Sequence, residues 1–385
     1  METRRTILEI APAELARKLE GGDPVQLLDV RAPERVERGV VGPVPDERFF
    51  NVRGSRLLAR DDPESEGLRP DREVAVVCGH GDDSFRIAAW LASKGYEARS
   101  LSGGVTAWMS LSVPRELSPP PGFDRLVQLD RVGKGALGFL LVSDGEAAAV
   151  DVSRWRDAWT RAAEEAGARI TAVFDTHVHA DYISGGPGLA ERAAAPWYLH
   201  PADMVLPYDG TPGRLPFEPL EEGTEVRVGR GRIRALHTPG HTEGSVSLVA
   251  GDGAALTGDF LFIDSLGRPD LAGRMDEWSE QLWRSAESAR TEWDPGWIVL
   301  PCHYASDAER NLDRSVGRPL EALRRDNEAL RLAADREAFL AWVRGRERPA
   351  PEAYRLLKAI NVGLAEAGPD EADLLETGRH ECALG

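Results

Sequence analysis

Short apolar runs recur along the first third of the chain, and each is followed by a segment with helical spacing. Val25–Val30 and Val74–Cys78 are short, largely apolar runs that predict buried strands. Pro12–Leu19 and Ser84–Lys94 predict helices, because their apolar residues recur at helical intervals. Buried strands that alternate with helices indicate a mainly parallel sheet covered on both faces. Residues 1–117 are therefore predicted to form a small α/β domain.

A proline-rich stretch separates this domain from a second series of strands. Ser118–Gly122 contains consecutive prolines, which are typical of a stiff, extended linker. Beyond it, Gly138–Val142 and Ala147–Val152 read as strands, and Ser143–Glu146 between them predicts a hairpin turn. Trp155–Ala166 then predicts a helix that packs on the sheet.

The end of the chain changes character and becomes helical. Pro319–Asp335 and Glu337–Val343 are rich in arginine and glutamate around an apolar stripe, as in solvated helices that pack on one face. Upstream, the Pro/Gly-rich stretch Pro207–Pro219 predicts a surface loop. We therefore expect a domain over residues 123–318 and a helical extension over residues 319–385.

Composition limits the class of protein. A chain of 385 residues is long for one core, and its net charge of −17 argues against nucleic acid or an anionic membrane surface as partner. The start, Met1–Arg5, lacks the apolar region of a secretory signal, and the run Thr6–Ile10 leads into the first helix. Cys78, Cys302 and Cys382 are too few and too far apart for a disulfide framework, so a cytoplasmic protein is expected.

The strongest chemical signal follows the apolar run Ile170–Phe174. His177 and His179 are separated by one residue just past this predicted strand, and Asp181 comes two positions later. Imidazole and carboxylate groups at this spacing can turn toward one point, and both are ligands of borderline divalent metals. The alternative is a surface loop with histidines placed by chance, which is disfavoured because the whole chain has only eight histidines.

Further candidate ligands stand at other predicted strand ends. His241 follows the strand-like Arg232–Leu236 across a Pro-Gly turn, Asp259 closes a short apolar run, and His303 follows Trp297–Pro301. Because separate strand ends each deliver histidine or aspartate, the pattern predicts a metal centre.

These motifs together resemble a known superfamily. The sequences THVHAD, TPGHT and TGD, together with His303 at the end of the last predicted strand, resemble the motifs of the metallo-β-lactamase superfamily. Gly258–Asp270 resembles the persulfide dioxygenase branch more narrowly, as do Ala359–Asn361 and Glu381–Ala383 near the end of the chain. The resemblance covers roughly residues 123–385 and implies an αββα sandwich.

The resemblance implies a specific metal and reaction. His177, His241 and Asp259 would bind one Fe(II) per chain, with zinc as the alternative, and His179 would be a further ligand or would orient the others. The reaction would oxidise a thiol persulfide with dioxygen to sulfite and the thiol, with glutathione persulfide as the first candidate. Arg268 is predicted to bind a substrate anion, because guanidinium forms bidentate bonds to such groups. The oligomeric state is left open.

A second interpretation is a thioester hydrolase of the glyoxalase II type. Such an enzyme needs a second metal ion, for which Asp181 and His303 would be ligands. The superfamily motif places histidine where this chain has Tyr182, so the second metal position is expected to be weakened or vestigial. A third interpretation, a catalytically silent sulfur-binding or scaffolding protein, applies better to the N-terminal domain.

The N-terminal domain carries its own candidate nucleophile. Cys78 ends a predicted central strand ahead of a loop that opens a helix, where backbone N–H groups and the helix end lower a thiol pKa. A buried core cysteine is the alternative. Asp29–Arg31, Cys78–Ser84 and Ser102–Trp108 resemble the signature regions of the rhodanese family, over nearly all of residues 1–117. The family cysteine accepts a sulfane sulfur and passes it to a thiol.

Two departures weaken the expectation of sulfur transfer. Asp83 stands where the family loop has arginine, and Gly39–Val41 replaces a Gly-His-Ile-like run. Asp82 adds a second carboxylate to the same loop, so the charge opposes an anionic donor. The fold is therefore predicted with weak or absent sulfurtransferase activity.

Overall fold

The computed structural model describes residues 8–37, 39–42 and 44–384. These residues divide into two compact units. The first comprises the chain up to Val113 with Arg131–Lys134 and Thr377–Arg379, and the second comprises the remainder. The first two residues of the run Thr6–Ile10 lie outside the described residues. The domain boundaries expected at residues 117, 122 and 318 stay predictions.

The first unit is built on a five-stranded, fully parallel sheet with the order β1-β5-β4-β2-β3. Alternate residues of β4 face opposite cores: Ala75 and Val77 pack on one side, Val74 and Val76 on the other. Both faces are therefore covered, as predicted for a parallel sheet. The strands are β1 Glu9–Ile10, β2 Gln26–Asp29, β3 Phe49–Asn51, β4 Val74–Val77 and β5 Ala98–Leu101; the helices are α1 Pro12–Glu20, α2 Pro33–Val36, α3 Gly54–Arg60, α4 Asp82–Ser93 and α5 Gly104–Ser110.

The second unit is built on two sheets. A seven-stranded sheet has the order β12-β11-β10-β9-β8-β7-β6, and a six-stranded sheet runs from β13 to β18 in sequence order. The strands are β6 Ser112–Leu117, β7 Arg125–Arg131, β8 Ala136–Ser143, β9 Glu146–Val150, β10 Arg169–Phe174, β11 Trp197–Leu199, β12 Glu218–Pro219, β13 Glu225–Val228, β14 Gly231–His237, β15 Val246–Ala250, β16 Ala254–Gly258, β17 Ile298–Pro301 and β18 Arg318–Pro319.

The two sheets face each other across the largest core, with helices outside. Phe139 and Leu141 of β8 point into this core with Leu248 and Leu256 from the second sheet, whereas Leu140 faces the outer helices. This arrangement is the αββα sandwich expected from the sequence. The helices are α6 Asp157–Glu165, α7 Gly186–Ala193, α8 Met275–Thr291, α9 Leu320–Asp326, α10 Glu328–Leu332, α11 Arg336–Arg344, α12 Glu352–Asn361 and α13 Pro369–Leu375.

One predicted helix is split in two. The segment Pro319–Asp335 breaks at Asn327, whose side chain caps α10 by accepting from the N–H of Leu330. The same amide donates to the carbonyl oxygens of Phe262 and Ile263, so tertiary bonds hold the break. Among the described residues, each helix is too short or too polar to cross a bilayer.

Candidate metal centre

The predicted metal ligands meet at strand ends of the second unit. His177 and His179 lie in the loop after β10, His241 in the turn after β14, Asp259 directly after β16, and His303 two residues after β17. All five side chains are at most 1% exposed. The fold therefore brings together residues that are far apart in the sequence.

Three of these residues each turn one unpaired polar atom toward the same point. Nε2 of His177 and Nε2 of His241 lie 3.6 and 3.4 Å from Oδ2 of Asp259. All three atoms are buried, and none has a hydrogen-bond partner among the described residues. Orphaned buried polar atoms are rare in proteins because each one carries an uncompensated desolvation penalty. Two imidazole nitrogens and one carboxylate oxygen that converge in this way fit a divalent metal ion.

The protein fixes the orientation of both histidines through their other ring nitrogens. Nδ1 of His241 lies 3.1 Å from the carbonyl oxygen of Arg268 and donates to it. Nδ1 of His177 lies 3.0 Å from Oγ1 of Thr176, whose hydroxyl donates to Asp151. A proton on Nδ1 leaves the lone pair of Nε2 for the metal. Burial lowers the pKa of His241 to about 3, so this imidazole is neutral as a ligand must be.

His303 is held between two carboxylates. Its Nδ1 lies 2.6 Å from Oδ1 of Asp259 and its Nε2 3.2 Å from Oδ2 of Asp181. Burial opposes protonation, but the two carboxylates raise the pKa of His303 to about 9. Burial alone would raise the pKa of Asp259, yet the adjacent His303 and His177 hold it well below its usual range. Asp259 therefore remains a carboxylate.

His179 lies beside the ligand set without joining it. It clusters with His177 and Cys302, and separately with Asp151 and Asp175, rather than with His241 and Asp259. Despite burial, those two carboxylates raise the pKa of His179 to about 10. The geometry thus favours the supporting role over direct ligation.

Tyr182 occupies the space beside His179. The phenol oxygen lies 2.9 Å from Nε2 of His179, and the two rings stack with centroids 4.2 Å apart. The side chain is 2% exposed. A buried phenol in this position holds His179 in place and supplies no imidazole to a second metal position.

Arg268 does not have the surroundings predicted for it. Its side chain is fully buried, and its Nε and Nη2 donate to the two carboxylate oxygens of Asp270 at 2.5 and 2.8 Å. Nη2 also donates to the carbonyl oxygen of Arg348. Because this fork is already paired, the geometry gives no support to a substrate-binding role. Arg268 instead positions His241 through its carbonyl oxygen.

Several supporting residues escaped the sequence reasoning. The side-chain amide of Asn361 donates to the carbonyl oxygens of His179 and Tyr182, each at 2.8 Å, and accepts from the N–H of Ser184. His380 stacks on His303 with ring centroids 4.3 Å apart. The tail motif that contains Asn361 was recognised only as a resemblance, and His380 carried no signal, because nothing local indicates which distant loop a side chain will reach.

The candidate nucleophile of the first unit lies at the end of the central strand of its sheet. Cys78 directly follows β4 and is 5% exposed. Its sulfur accepts from the N–H of Gly81 at 3.1 Å and contacts Oγ of Ser84 at 3.2 Å. Asp82 and Asp83 form the first turn of α4 and are exposed. The loop therefore has the predicted position at a strand end, with its carboxylates in solvent.

Comparisons with known proteins agree with both architectures. The profile of the metallo-β-lactamase superfamily matches residues 135–303, and that of the rhodanese-like domain matches residues 11–111. A hydroxyacylglutathione hydrolase from Acidiphilium cryptum is 34% identical over 197 residues, which cover 50% of this chain and 75% of the relative.

Two solved structures are similar to the chain. A metallo-β-lactamase from Staphylococcus aureus superposes with a TM-score of 0.52 at 26% identity and covers 60% of this chain and 70% of its own. ETHE1 from Myxococcus xanthus has a TM-score of 0.50 at 25% identity and covers 65% of this chain and 99% of its own. Since the hydrolase relative is matched over most of its length, the chain belongs to the metallo-β-lactamase superfamily, with a rhodanese-like domain at its N-terminal end.

Proposed function

We propose that this chain is a mononuclear iron dioxygenase that oxidises the persulfide of a low-molecular-weight thiol. The observation that carries the proposal is the set of orphaned buried atoms on His177, His241 and Asp259. Two imidazoles and one carboxylate on one side of an ion are typical of non-haem iron(II) oxygenases. Similarity to ETHE1 supports the persulfide dioxygenase branch.

Iron(II) bound by these residues would keep open positions for a sulfur ligand and dioxygen and would supply the redox chemistry. The persulfide R–S–SH, O₂ and water would give the thiol R–SH, sulfite and two protons, with the outer sulfur oxidised and dioxygen reduced. The protein itself holds the ligand geometry: Arg268 and Thr176 fix the two imidazoles, and Asp259 stays ionised beside His303. Buried surroundings exclude bulk water from this set.

The fused N-terminal domain supports sulfur chemistry by association. A rhodanese-like fold binds sulfane sulfur on a cysteine, and Cys78 stands at the corresponding strand end. A sulfur carrier joined to a persulfide oxidase has a chemical rationale that a carrier joined to a thioesterase lacks. Fold similarity alone does not establish activity, so the metal ligands support the proposal more strongly than the fused domain does.

The test is metal analysis combined with oxygen uptake. Protein purified without added metal should contain iron and consume one O₂ for each sulfite released from glutathione persulfide, since the reaction above has that stoichiometry. Protein that carries two zinc ions per chain and hydrolyses thioesters would contradict the proposal.

A second candidate function is thioester hydrolysis, because a hydroxyacylglutathione hydrolase is 34% identical over half of this chain. Hydrolysis of that kind uses a second ion, for which Asp181, His303 and Asp259 are already adjacent. This second ligand set lacks one imidazole, because Tyr182 stands where the superfamily motif has histidine. Tyr182→His should raise the occupancy of a second metal if this is a lost hydrolase site, and Tyr182→Phe is the matched control that adds no ligand. Unchanged metal content in both variants would show that residue 182 does not contribute to a second metal position.

A further inference from the structure

A small pocket lies beside the metal-ligand set in the second unit. Val178 and Thr242, which directly follow the ligands His177 and His241, form part of its wall. The remaining wall includes the ring of Trp278 and the side chain of Lys358. Its volume of about 80 Å³ is well below that of a site for a drug-sized ligand. The pocket therefore suits one small group rather than a whole tripeptide.

Lys358 places an ammonium group in this pocket without an ion pair. The residue lies on α12 and is 1% exposed. Among the described residues, Lys358 makes no hydrogen bond or ion pair, and its Nζ lies 5.7 Å from the centroid of the Trp278 ring. A buried lysine is almost always paired, because transfer of an isolated charge from water is unfavourable.

The acidic groups around the pocket are already engaged. Asp203 accepts from the N–H of Val178 at 2.7 Å, from Oγ1 of Thr242 at 2.9 Å and from the N–H of Gly244 at 2.8 Å. Glu243 at the rim pairs with Arg274. Burial lowers the pKa of Lys358, although Asp203 acts in the opposite direction. A bound anion would relieve this desolvation penalty.

We propose that Lys358 and its pocket form a subsite for an anionic oxygen group next to the metal ligands. The chemistry shared by the candidate ligands is a small oxyanion: a carboxylate of the thiol that carries the persulfide, or the sulfite product. The identity of these ligands rests on the proposed function, whereas the need for an anion rests on the unpaired lysine. The consequence is a preference for acidic thiols such as glutathione over neutral ones.

The test measures binding without turnover. Titration calorimetry of the metal-loaded protein under argon would compare glutathione, glutathione diethyl ester and sulfite as probes. Lys358→Met should weaken the binding of glutathione or sulfite at least tenfold, Lys358→Arg should retain part of it, and Arg355→Met is the matched control. Arg355 lies on the same helix, is exposed and contacts Tyr208 instead of the pocket. If Lys358→Met loses binding of glutathione alone, the subsite binds a carboxylate of the thiol. If it loses binding of sulfite alone, the subsite binds the product.

A second measurement separates anion binding from a structural role. An unpaired buried charge destabilises the ligand-free protein, so Lys358→Met should raise the midpoint of urea denaturation. The KM for glutathione persulfide should rise in this variant more than kcat falls. Wild-type protein that binds neither glutathione nor sulfite, or binding of both that is unchanged in Lys358→Met, would overturn the subsite. Absence of iron or of oxygen uptake would instead contradict the proposed function. The calorimetric titrations would still test the subsite in that case, because they do not depend on turnover.

Discussion

The metal centre and the Cys78 loop differ in how many chain segments build them. His177, His241 and Asp259 come from separate strand ends, and their free atoms converge only when both sheets of the second unit are packed. Cys78 finds its partners, Gly81 and Ser84, within the same short loop. Ligands that come together from distant segments are difficult to explain without a bound metal. Contacts within one short loop, in contrast, can form for structural reasons alone.

The two regions also differ in whether their carboxylates are buried or exposed. The carboxylates of Asp181 and Asp259 are buried and matched by His303. Asp82 and Asp83 near Cys78 are exposed, so solvent and salt screen their field. Electrostatic changes should therefore have large effects in the metal centre and small effects in the Cys78 loop.

The largest effect should follow from removal of a metal ligand. In His241→Ala or Asp259→Ala, iron content should fall from about one per chain to almost none, because two remaining ligands bind weakly. Oxygen uptake should be lost with it, while the far-ultraviolet circular dichroism stays unchanged.

His200→Ala is the control for this prediction. It removes a half-buried imidazole of the same unit that stacks on His237 and belongs to none of the ligand clusters. Retained iron in His241→Ala, or equal loss in His200→Ala, would show that the metal is bound elsewhere.

An intermediate effect should follow from loss of an amide bridge, which occurs in both units. Asn361 bonds the carbonyl oxygens of His179 and Tyr182, and Asn51 bonds those of Asp29 and Arg31 in the first unit. Substitution of Asn361 by alanine leaves buried carbonyl groups unpaired and should lower the free energy of unfolding by about 2–4 kcal/mol. Urea denaturation would measure it.

Only the Asn361 variant should also change the metal centre. Asn361→Ala loosens the loop that carries His177, so its iron should dissociate faster to a chelator by roughly tenfold or more. Asn51→Ala should destabilise the protein without this effect. Identical chelation rates in the two variants would mean that Asn361 supports the fold alone.

The layers of both units could be predicted from the sequence because they depend on hydrophobic periodicity, and the candidate metal ligands could be named because each one follows a predicted strand. The apolar run Ile170–Phe174 predicted a strand, and the structure has β10 there, so His177 lies just past a strand end as expected. The sequence could not predict that Asp270 would pair with the guanidinium of Arg268, or that Lys358 would lack an ion pair among the described residues. Both depend on which distant residues meet after folding, and side-chain pairing of that kind leaves no local pattern.

The smallest effect is expected in the Cys78 loop, where the charge argument from the sequence needs revision. A carboxylate about 5 Å from the thiol in a partly buried setting would slow reaction with an anionic donor by roughly a hundredfold. Asp83 is exposed and lines a groove of about 540 Å³ with Arg53 and Arg86, so opposite charges and solvent weaken its field. An exposed charge is worth at most about 1 kcal/mol, which corresponds to roughly fivefold in rate.

Asp83→Arg should therefore raise a low thiosulfate sulfurtransferase rate by about fivefold at low salt, and the gain should shrink as salt screens the charge. Glu97→Arg is the matched control, because it makes the same change in charge just before β5, at the N-terminal ends of the parallel strands, whereas Cys78 lies at their C-terminal ends. Cys78→Ser should abolish the rate in either background. High wild-type activity that disappears in Cys78→Ser would show that the loop already has the positive charge it needs, and an equal gain in Glu97→Arg would assign the effect to net charge rather than to the loop.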